Sequence, residues 1–198
     1  LALKNGFTPF IDLAYQGLGD GVDEDCFGVR LLAAAVPELI VVSSCSKNFG
    51  VYRERVGAFT LICQTNASMK AASSLIAATA RGIYSMPPDH GATVVEMILG
   101  DTALRLDWEQ ELTQMRERIN GLRTLLVERL KSAGVDRDFS FIQHEKGMFS
   151  FLGLSVPQVQ TLVKDYSIYL VDSSRINVAG ISEGNVDYLV QSIRKVLG

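Results

Sequence analysis

The sequence is poor in the residues that usually hold metals or disulfide bridges. It has three cysteines, set far apart at Cys26, Cys45 and Cys63, and two histidines, His90 and His144. An odd and scattered set of cysteines does not form a disulfide framework, and neither histidine has partners at the spacing of a metal site. We therefore expect no metal and a reducing compartment, the cytoplasm.

The chain also lacks a long apolar run and an excess of one charge. No stretch approaches the roughly 18 apolar residues of a transmembrane helix, so no membrane partner is expected. The net charge is −3 and the basic residues form no run, which argues against a nucleic-acid partner. Four arginines alternate with glutamates and predict a solvated helix face. They are Arg116, Arg118, Arg123 and Arg129.

The first residues lack an initiator methionine and the basic–apolar–small order of a signal peptide. Within ten residues the chain is already in an apolar, strand-like run, which predicts that it begins in mid-protein. With 47% hydrophobic and 21% charged residues, the composition is that of an ordinary globular protein with a sizeable core.

Strands followed by helices in the first part of the chain predict an α/β layer. Buried strands are predicted at 9–15 and 38–44, with Ile40, Val41 and Val42 in the core, and a third strand within 55–62. Helices are predicted at 23–36, 69–84 and 91–99.

A long helix is predicted from Asp101, a fair N-cap, towards Gly134, a fair stop. One apolar stripe marks it, which we interpret as packing without chemistry. The stripe contains Trp108, Leu112, Met115, Ile119, Leu122 and Leu126. Beyond it we predict strands at 147–154, 167–171 and 174–178, a helix at 157–166, and a last helix capped by Ser182. The domains expected are therefore 1–107 and a small α+β domain, 108–198, joined through the long helix.

Asp12 interrupts an apolar strand, and a buried carboxylate is costly unless a cation or strong donors pair with it. Either it is such a paired carboxylate, or the strand ends early and Asp12 is a turn residue. Tyr15 falls at the carboxyl end of the strand, where ligands of α/β sheets collect.

The second predicted strand runs directly into a loop of small polar residues, SSCSKNFG at 43–50, that presents Lys47. Arg55 follows eight residues later. A nearby cation and partial desolvation are what a lysine needs if it is to form a Schiff base. Taken alone, the segment favours a surface loop with an ordinary lysine.

Ordered motifs cover nearly the whole chain: DLAY at 12–15, SCSKNFG at 44–50, RVG at 55–57, RGIYS at 81–85, PP at 87–88, HG at 90–91, WEQEL at 108–112, DFSF at 138–141, GMFSF at 147–151 and SRINVAG at 174–180. In this order they resemble the class I aminotransferases, which are fold type I enzymes dependent on pyridoxal 5′-phosphate (PLP). The closest subgroup is the aspartate and aromatic aminotransferases. The resemblance implies an α/β fold, namely the C-terminal part of the large PLP-binding domain, with a mainly parallel sheet, plus the small domain.

The resemblance also assigns the cofactor residues. Lys47 would hold PLP through a Schiff base and then carry the proton between the substrate Cα and the cofactor. Asp12 would pair with the protonated pyridine nitrogen, and Tyr15 would donate its hydroxyl to the ring oxygen. Ser44 and Arg55 would bind the phosphate.

For the substrate, the resemblance implies that Arg175 grips the α-carboxylate and that Phe149 packs nearby. Arg81 would reach into the neighbouring subunit of a homodimer to hold a distal carboxylate. Without the motifs, Arg175 is a surface arginine and Arg81 a cation at a helix C-terminus. Met86 departs from the Asn common in the family, and a more apolar wall there favours aromatic substrates as well.

The implied activity moves an amino group from an L-amino acid, aspartate first, to 2-oxoglutarate by ping-pong chemistry through PLP. The alternatives are an aromatic-amino-acid aminotransferase and an inactive C-terminal fragment. The family's first half, absent here, would supply other parts of the phosphate site, the aromatic that stacks on the ring, an Asn near its oxygen and a cross-subunit Tyr.

Overall fold

A computed structural model describes all 198 residues, which form two compact units, 1–112 and 113–198. The first unit holds three strands, β1 (Phe10–Leu13), β2 (Leu39–Ser44) and β3 (Gly57–Ile62). Its helices are α1 (Ala2–Asn5), α2 (Phe27–Ala35), α3 (Asn66–Tyr84) and α4 (His90–Gly100). Helix α5 (Thr102–Ser132) begins in this unit and ends in the second. The second unit adds β4 (Phe149–Phe151), α6 (Val156–Tyr166), β5 (Arg175–Asn177) and α7 (Val186–Leu197).

The sheet of the first unit has the order β1-β2-β3, with β1 parallel and β3 antiparallel to β2. Helix α2 covers one face of this sheet. There Val36, Leu39 and Val41 form a buried cluster, against which Ile11 and Leu32 pack. The parallel pairing places the carboxyl ends of β1 and β2 side by side, at the same edge of the sheet.

The prediction of buried strands with Ile40, Val41 and Val42 in the core holds for one face of the sheet only. Leu39 and Val41 are buried, but Ile40 and Val42 are only half-buried, and Asp12 is exposed within β1. Successive side chains of a strand point to opposite faces, and only the face under α2 is covered in this chain. Asp12 is therefore neither a buried carboxylate nor a turn residue, and it lies on the open face.

The predicted helix at 23–36 also needs correction, because it begins with a separate 3₁₀ turn, Glu24–Cys26. The carboxylate of Asp25 in this turn accepts hydrogen bonds from the backbone N–H groups of Gly17, Gly19 and Asp20. It thereby fixes the glycine-rich loop that follows β1.

The predicted ends of the long helix are confirmed. The Asp101 carboxylate accepts the N–H groups of Ala103 and Leu104 at 2.8 and 3.0 Å, and Gly134 adopts a left-handed φ of 71°. Four members of the predicted apolar stripe are buried: Leu112, Ile119, Leu122 and Leu126. No helix of the chain combines the length and the apolar content that crossing a membrane requires.

In the second unit, β4 and β5 form a two-stranded antiparallel sheet, and residues 167–171 do not form the strand that was predicted there. Ser167 is the left-handed C-cap of α6 (φ 53°), and the N–H of Ile168 donates to Leu162, so the first residues of the segment close the helix. Helix α7 starts after Asn185 and not at Ser182, because the Asn185 side chain accepts the N–H of Ser182 in a turn before the helix.

Candidate active site

Lys47 stands just beyond the carboxyl end of β2, in a loop tied back to the sheet. The N–H of Cys45 donates to the carbonyl of Val56, which continues the pairing with β3. The N–H of Phe49 then donates to Cys45 and that of Gly50 to Lys47, which curls the loop into a turn. Ligands of α/β sheets bind at this end of the strands.

The structure brings Lys47 and Tyr15 together. The Lys47 Nζ lies 4.7 Å from the centroid of the Tyr15 ring and 6.0 Å from that of Tyr52. Lys47 and Tyr15 are both half-buried. A lysine ammonium placed over aromatic faces is attracted by their electron density.

Trp108 holds the two residues that follow Lys47, a role that the sequence analysis missed. Its indole N–H donates to the carbonyl of Asn48 at 2.7 Å, and its ring stacks on Phe49 with centroids 4.5 Å apart. The side chain of Asn48 is buried and donates to the carbonyl of Gln16, next to Tyr15. One feature of the sequence could have indicated this role, because an indole within a packing stripe needs a hydrogen-bond acceptor for its N–H.

The strands β2 and β3 pair closely next to two of the predicted residues. Ser44 is the last residue of β2, and Arg55 lies just before β3. Ser44 accepts the N–H of Ser46 at its hydroxyl, and Ser44 pairs with Gly57 across the ladder. A Cβ at position 57 would lie 2.3 Å from the carbonyl oxygen of Ser43, so only glycine permits this approach. Arg55 is exposed, adopts a left-handed φ of 54° and donates to the carbonyl of Tyr52.

The segment that carries Arg55 is supported by the start of α4. Glu54 accepts a hydrogen bond from His90 Nδ1 at 2.9 Å, and this contact raises the pKa of His90 above its ordinary value. Gly91 packs so closely on this segment that a Cβ would lie 2.3 Å from Val56.

Asp12 lies near this group through the strand register. Asp12 pairs with Val42, two residues before Ser44, so strand alternation puts Asp12 and Ser44 on the same open face. Five of the predicted residues thus lie at the same edge of the sheet, where β1 and β2 end and β3 begins. They are Asp12, Tyr15, Ser44, Lys47 and Arg55.

Arg81 is not brought to that group. It lies exposed in the last turn of α3, where a cation is favoured by the helix dipole. Its guanidinium makes no hydrogen bond or ion pair with another predicted site residue. Met86, shortly after the helix, is 77% exposed.

In the second unit, Arg175 and Phe149 form a contact of their own. The guanidinium carbon lies 4.6 Å from the Phe149 ring centroid, and the two residues are diagonal neighbours across β4 and β5. The preceding residue, Ser174, is fully buried with a left-handed φ of 66°, and its hydroxyl accepts the N–H of Leu154. The backbone is thus fixed at Ser174, directly before the exposed Arg175.

Arg123 is buried, which contradicts the prediction of a solvated helix face. Its guanidinium donates to the carbonyls of Gly147 and Phe149 at 2.8 and 2.9 Å, and to the hydroxyl of Ser150. Glu145 lies 3.4 Å away, but desolvation dominates and lowers the pKa of Arg123. The arginine thus fixes the backbone of β4, which carries Phe149.

Arg118 was predicted on the same solvated helix face, and it also makes hydrogen bonds within the chain. Its guanidinium donates to the carbonyls of Ala179 and Ile181, just after β5. The alternation with glutamates did not reveal either arginine's role, because their partners are backbone carbonyls distant in sequence.

Cys45, next to Ser46 and Lys47, is half-buried, and burial raises the pKa of its thiol. A raised thiol pKa disfavours the nucleophilic thiolate. Cys45 therefore has the features of a packed small residue.

Comparison with known proteins decides the family. The family described as aminotransferase class I and II matches residues 1–193. The chain belongs to this family. It is 51% identical to the aspartate aminotransferase of Haemophilus influenzae, over 100% of this chain and 50% of that protein. It is 47% identical to the aromatic-amino-acid aminotransferase of Pseudomonas aeruginosa, over 98% of this chain and 48% of that protein.

Solved aminotransferase structures share the fold. The aromatic-amino-acid aminotransferase of Burkholderia pseudomallei, covalently bound to pyridoxal phosphate, matches with a TM-score of 0.94 at 43% identity. That match covers 100% of this chain and 49% of the other. The chain therefore spans about half the length of the aminotransferases it matches.

Replacing Arg123 with methionine should destabilise the second unit. The buried carbonyls of Gly147 and Phe149 would lose their donor, and breaking such a network costs about 3 kcal/mol of unfolding free energy. Denaturant unfolding followed by circular dichroism measures the change. Arg194→Met, an exposed position in α7, is the matched control and should stay within about 0.5 kcal/mol of the unchanged chain. Equal effects of the two variants would contradict the buried network.

The pKa of His90 should fall when Glu54 is replaced by glutamine, because the hydrogen bond that raises it loses its charge. NMR titration of the His90 ring protons measures this, with Glu96→Gln on the same helix as control. The contact stabilises the fold fully below the unfolded-state pKa of histidine and is lost as the pH rises through the raised pKa of His90. An unchanged titration in Glu54→Gln would show that the contact does not form in solution.

Proposed function

We propose that this protein is a PLP-dependent aminotransferase that transfers the amino group of an L-amino acid to a 2-oxo acid, with Lys47 holding the cofactor. One observation carries the proposal. In a chain of the aminotransferase family, a single half-buried lysine lies over a tyrosine ring at the carboxyl edge of the sheet.

The side chains around Lys47 fit PLP. The Asp12 carboxylate is exposed on the open face and makes no ion pair within the chain, so it is available to a protonated pyridine nitrogen. The Tyr15 phenol lies beside Lys47, in reach of the ring oxygen of a cofactor held there. The Ser44 hydroxyl and the Arg55 guanidinium, on either side of the β2–β3 pairing, are the donors that a phosphate requires.

When bound, PLP supplies an electron-poor ring that stabilises negative charge at the substrate Cα. Lys47 would hold the cofactor through its Nζ, and its amine would accept the proton from the substrate Cα and give it back. Asp12 would pair with the protonated pyridine nitrogen through its negative charge, and Tyr15 would donate its hydroxyl to the ring oxygen.

Recognition of the substrate falls to arginines. Arg175 offers a planar fork that binds the α-carboxylate through two parallel hydrogen bonds, and Phe149 fixes the tilt of that fork. Arg81, exposed at the end of α3, extends from one subunit of a homodimer to a distal carboxylate in the site of the other.

Three free cysteines are consistent with a reducing cytoplasm.

Aspartate with 2-oxoglutarate is the first substrate pair, because both carry the second carboxylate that Arg81 would bind. The second candidate is an aromatic amino acid with 2-oxoglutarate. It is favoured by Met86, an apolar side chain near Arg81 in the sequence, and by relatives named aromatic-amino-acid aminotransferases.

Reduction with borohydride after incubation with PLP should leave a pyridoxyl group on Lys47, and peptide mass spectrometry locates it. Lys70 and Lys131 are exposed and serve as internal controls for random labelling. Lys47→Arg keeps the positive charge but cannot form the bond, so its specific label should vanish. Labelling spread evenly over the lysines would contradict the assignment of Lys47.

Replacing Arg81 with leucine should lower kcat/KM for aspartate by about 10- to 100-fold, the loss expected for hydrogen bonds to a charged group. The fall for phenylalanine should be much smaller, since its side chain has no carboxylate. Initial rates with 2-oxoglutarate as acceptor give both values. Equal losses would remove Arg81 from substrate recognition, and kinetics that need both substrates bound at once would contradict the ping-pong transfer.

A further inference from the structure

We propose that Trp108 is a positioning residue, which fixes the loop after Lys47 and thereby the direction in which the Lys47 amine is presented. The inference rests on the proposed role of Lys47 as the cofactor lysine. It concerns a residue of helix α5 that lies 61 positions further along the chain and does not itself contact the amine.

Two contacts of different kinds join Trp108 to consecutive loop residues. The indole N–H donates to the carbonyl of Asn48 at 2.7 Å, while the indole ring lies on Phe49 at an interplanar angle of 10°. The hydrogen bond fixes the peptide that directly follows Lys47, and the stacked ring fixes the next side chain. Together they define both the position and the tilt of the loop.

The loop is also held by a second hydrogen bond, to the segment that follows β1. The Asn48 side chain donates to the carbonyl of Gln16 at 3.3 Å, and Gln16 in turn donates to the carbonyl of Val22. Asn48 is therefore held in two places. Its backbone carbonyl accepts a hydrogen bond from Trp108, and its side-chain amide nitrogen donates to the segment that follows Tyr15. These contacts hold the backbone next to Lys47, whose amine lies 4.7 Å from the centroid of the Tyr15 ring.

Tryptophan makes both contacts from this position. Phenylalanine could stack on Phe49 but has no N–H for the Asn48 carbonyl, and leucine can do neither. If Trp108 were simply a core residue of the apolar stripe, its loss would lower stability without changing where the Lys47 amine lies. The two roles therefore differ in a property that can be measured at Lys47 itself.

The test uses the 198-residue chain, in which Trp108 is the only tryptophan. Brief reductive methylation with formaldehyde and cyanoborohydride, read by peptide mass spectrometry, gives the ratio of labelling at Lys47 to that at the exposed Lys70. In Trp108→Leu this ratio should rise about fivefold, the factor that one net hydrogen bond provides. Trp108→Phe should give a smaller rise in this ratio. Because this variant keeps an aromatic ring, it serves for the same test if the leucine variant does not fold.

Leu112→Val is the matched control, because Leu112 is a buried member of the same helix stripe in the same unit. It should lower stability and leave the Lys47 to Lys70 ratio unchanged. A second readout uses the fluorescence of Trp108, which should shift to the red in Phe49→Leu as the stacked partner is removed. Unchanged labelling in both Trp108 variants, or unchanged fluorescence in Phe49→Leu, would overturn the proposal.

Borohydride trapping with PLP, run on the same variants, separates this proposal from the proposed function. A Lys47 adduct that forms equally well in the unchanged chain and in both Trp108 variants overturns the positioning role and leaves the function intact. Methylation of Lys47 that depends on Trp108, without any specific PLP adduct, supports the positioning role and counts against Lys47 as the cofactor lysine.

Discussion

The pairing of β2 with a strand on each side determines where the candidate site lies. The parallel partner, β1, brings Asp12 and Tyr15 to the carboxyl end of β2, and the antiparallel partner, β3, returns Arg55 to the same edge. The close approach of Gly57 to the Ser43 carbonyl is the tightest point of this arrangement, since any side chain there would separate the strands. A lysine placed directly after β2 therefore lies at this edge, over the ring of Tyr15, which comes from a segment distant in sequence.

The predictable parts of the fold are those with local causes. Asp101 and Gly134 mark the ends of α5 because a helix cap depends on residues within a few positions of each other. Five of the six predicted strands and the Lys47 loop were also recognisable, through apolar runs and ordered motifs. The predicted roles of the residues around Lys47 follow from those motifs and from no periodicity or composition.

The features that sequence did not predict depend on distant partners. Arg123 has the spacing of a surface residue, but its acceptors lie 19 to 27 residues further on, in and before β4. Trp108 looks like one more apolar residue until its N–H meets a carbonyl 60 residues away. Asp12 reads as buried because its neighbours are apolar, whereas only one face of the strand is covered in this chain. In each case the environment is set by tertiary contacts that no local pattern records.

The central claim is that the open edge formed by β1, β2 and β3 is a PLP site built on Lys47. A crystal structure of the chain grown with PLP tests it most directly. The account predicts electron density continuous with the Lys47 Nζ, with the phosphate against Ser44 and Arg55 and the pyridine nitrogen towards Asp12. Cofactor density attached to another lysine, or a cofactor at Lys47 whose ring nitrogen points away from Asp12, would contradict it.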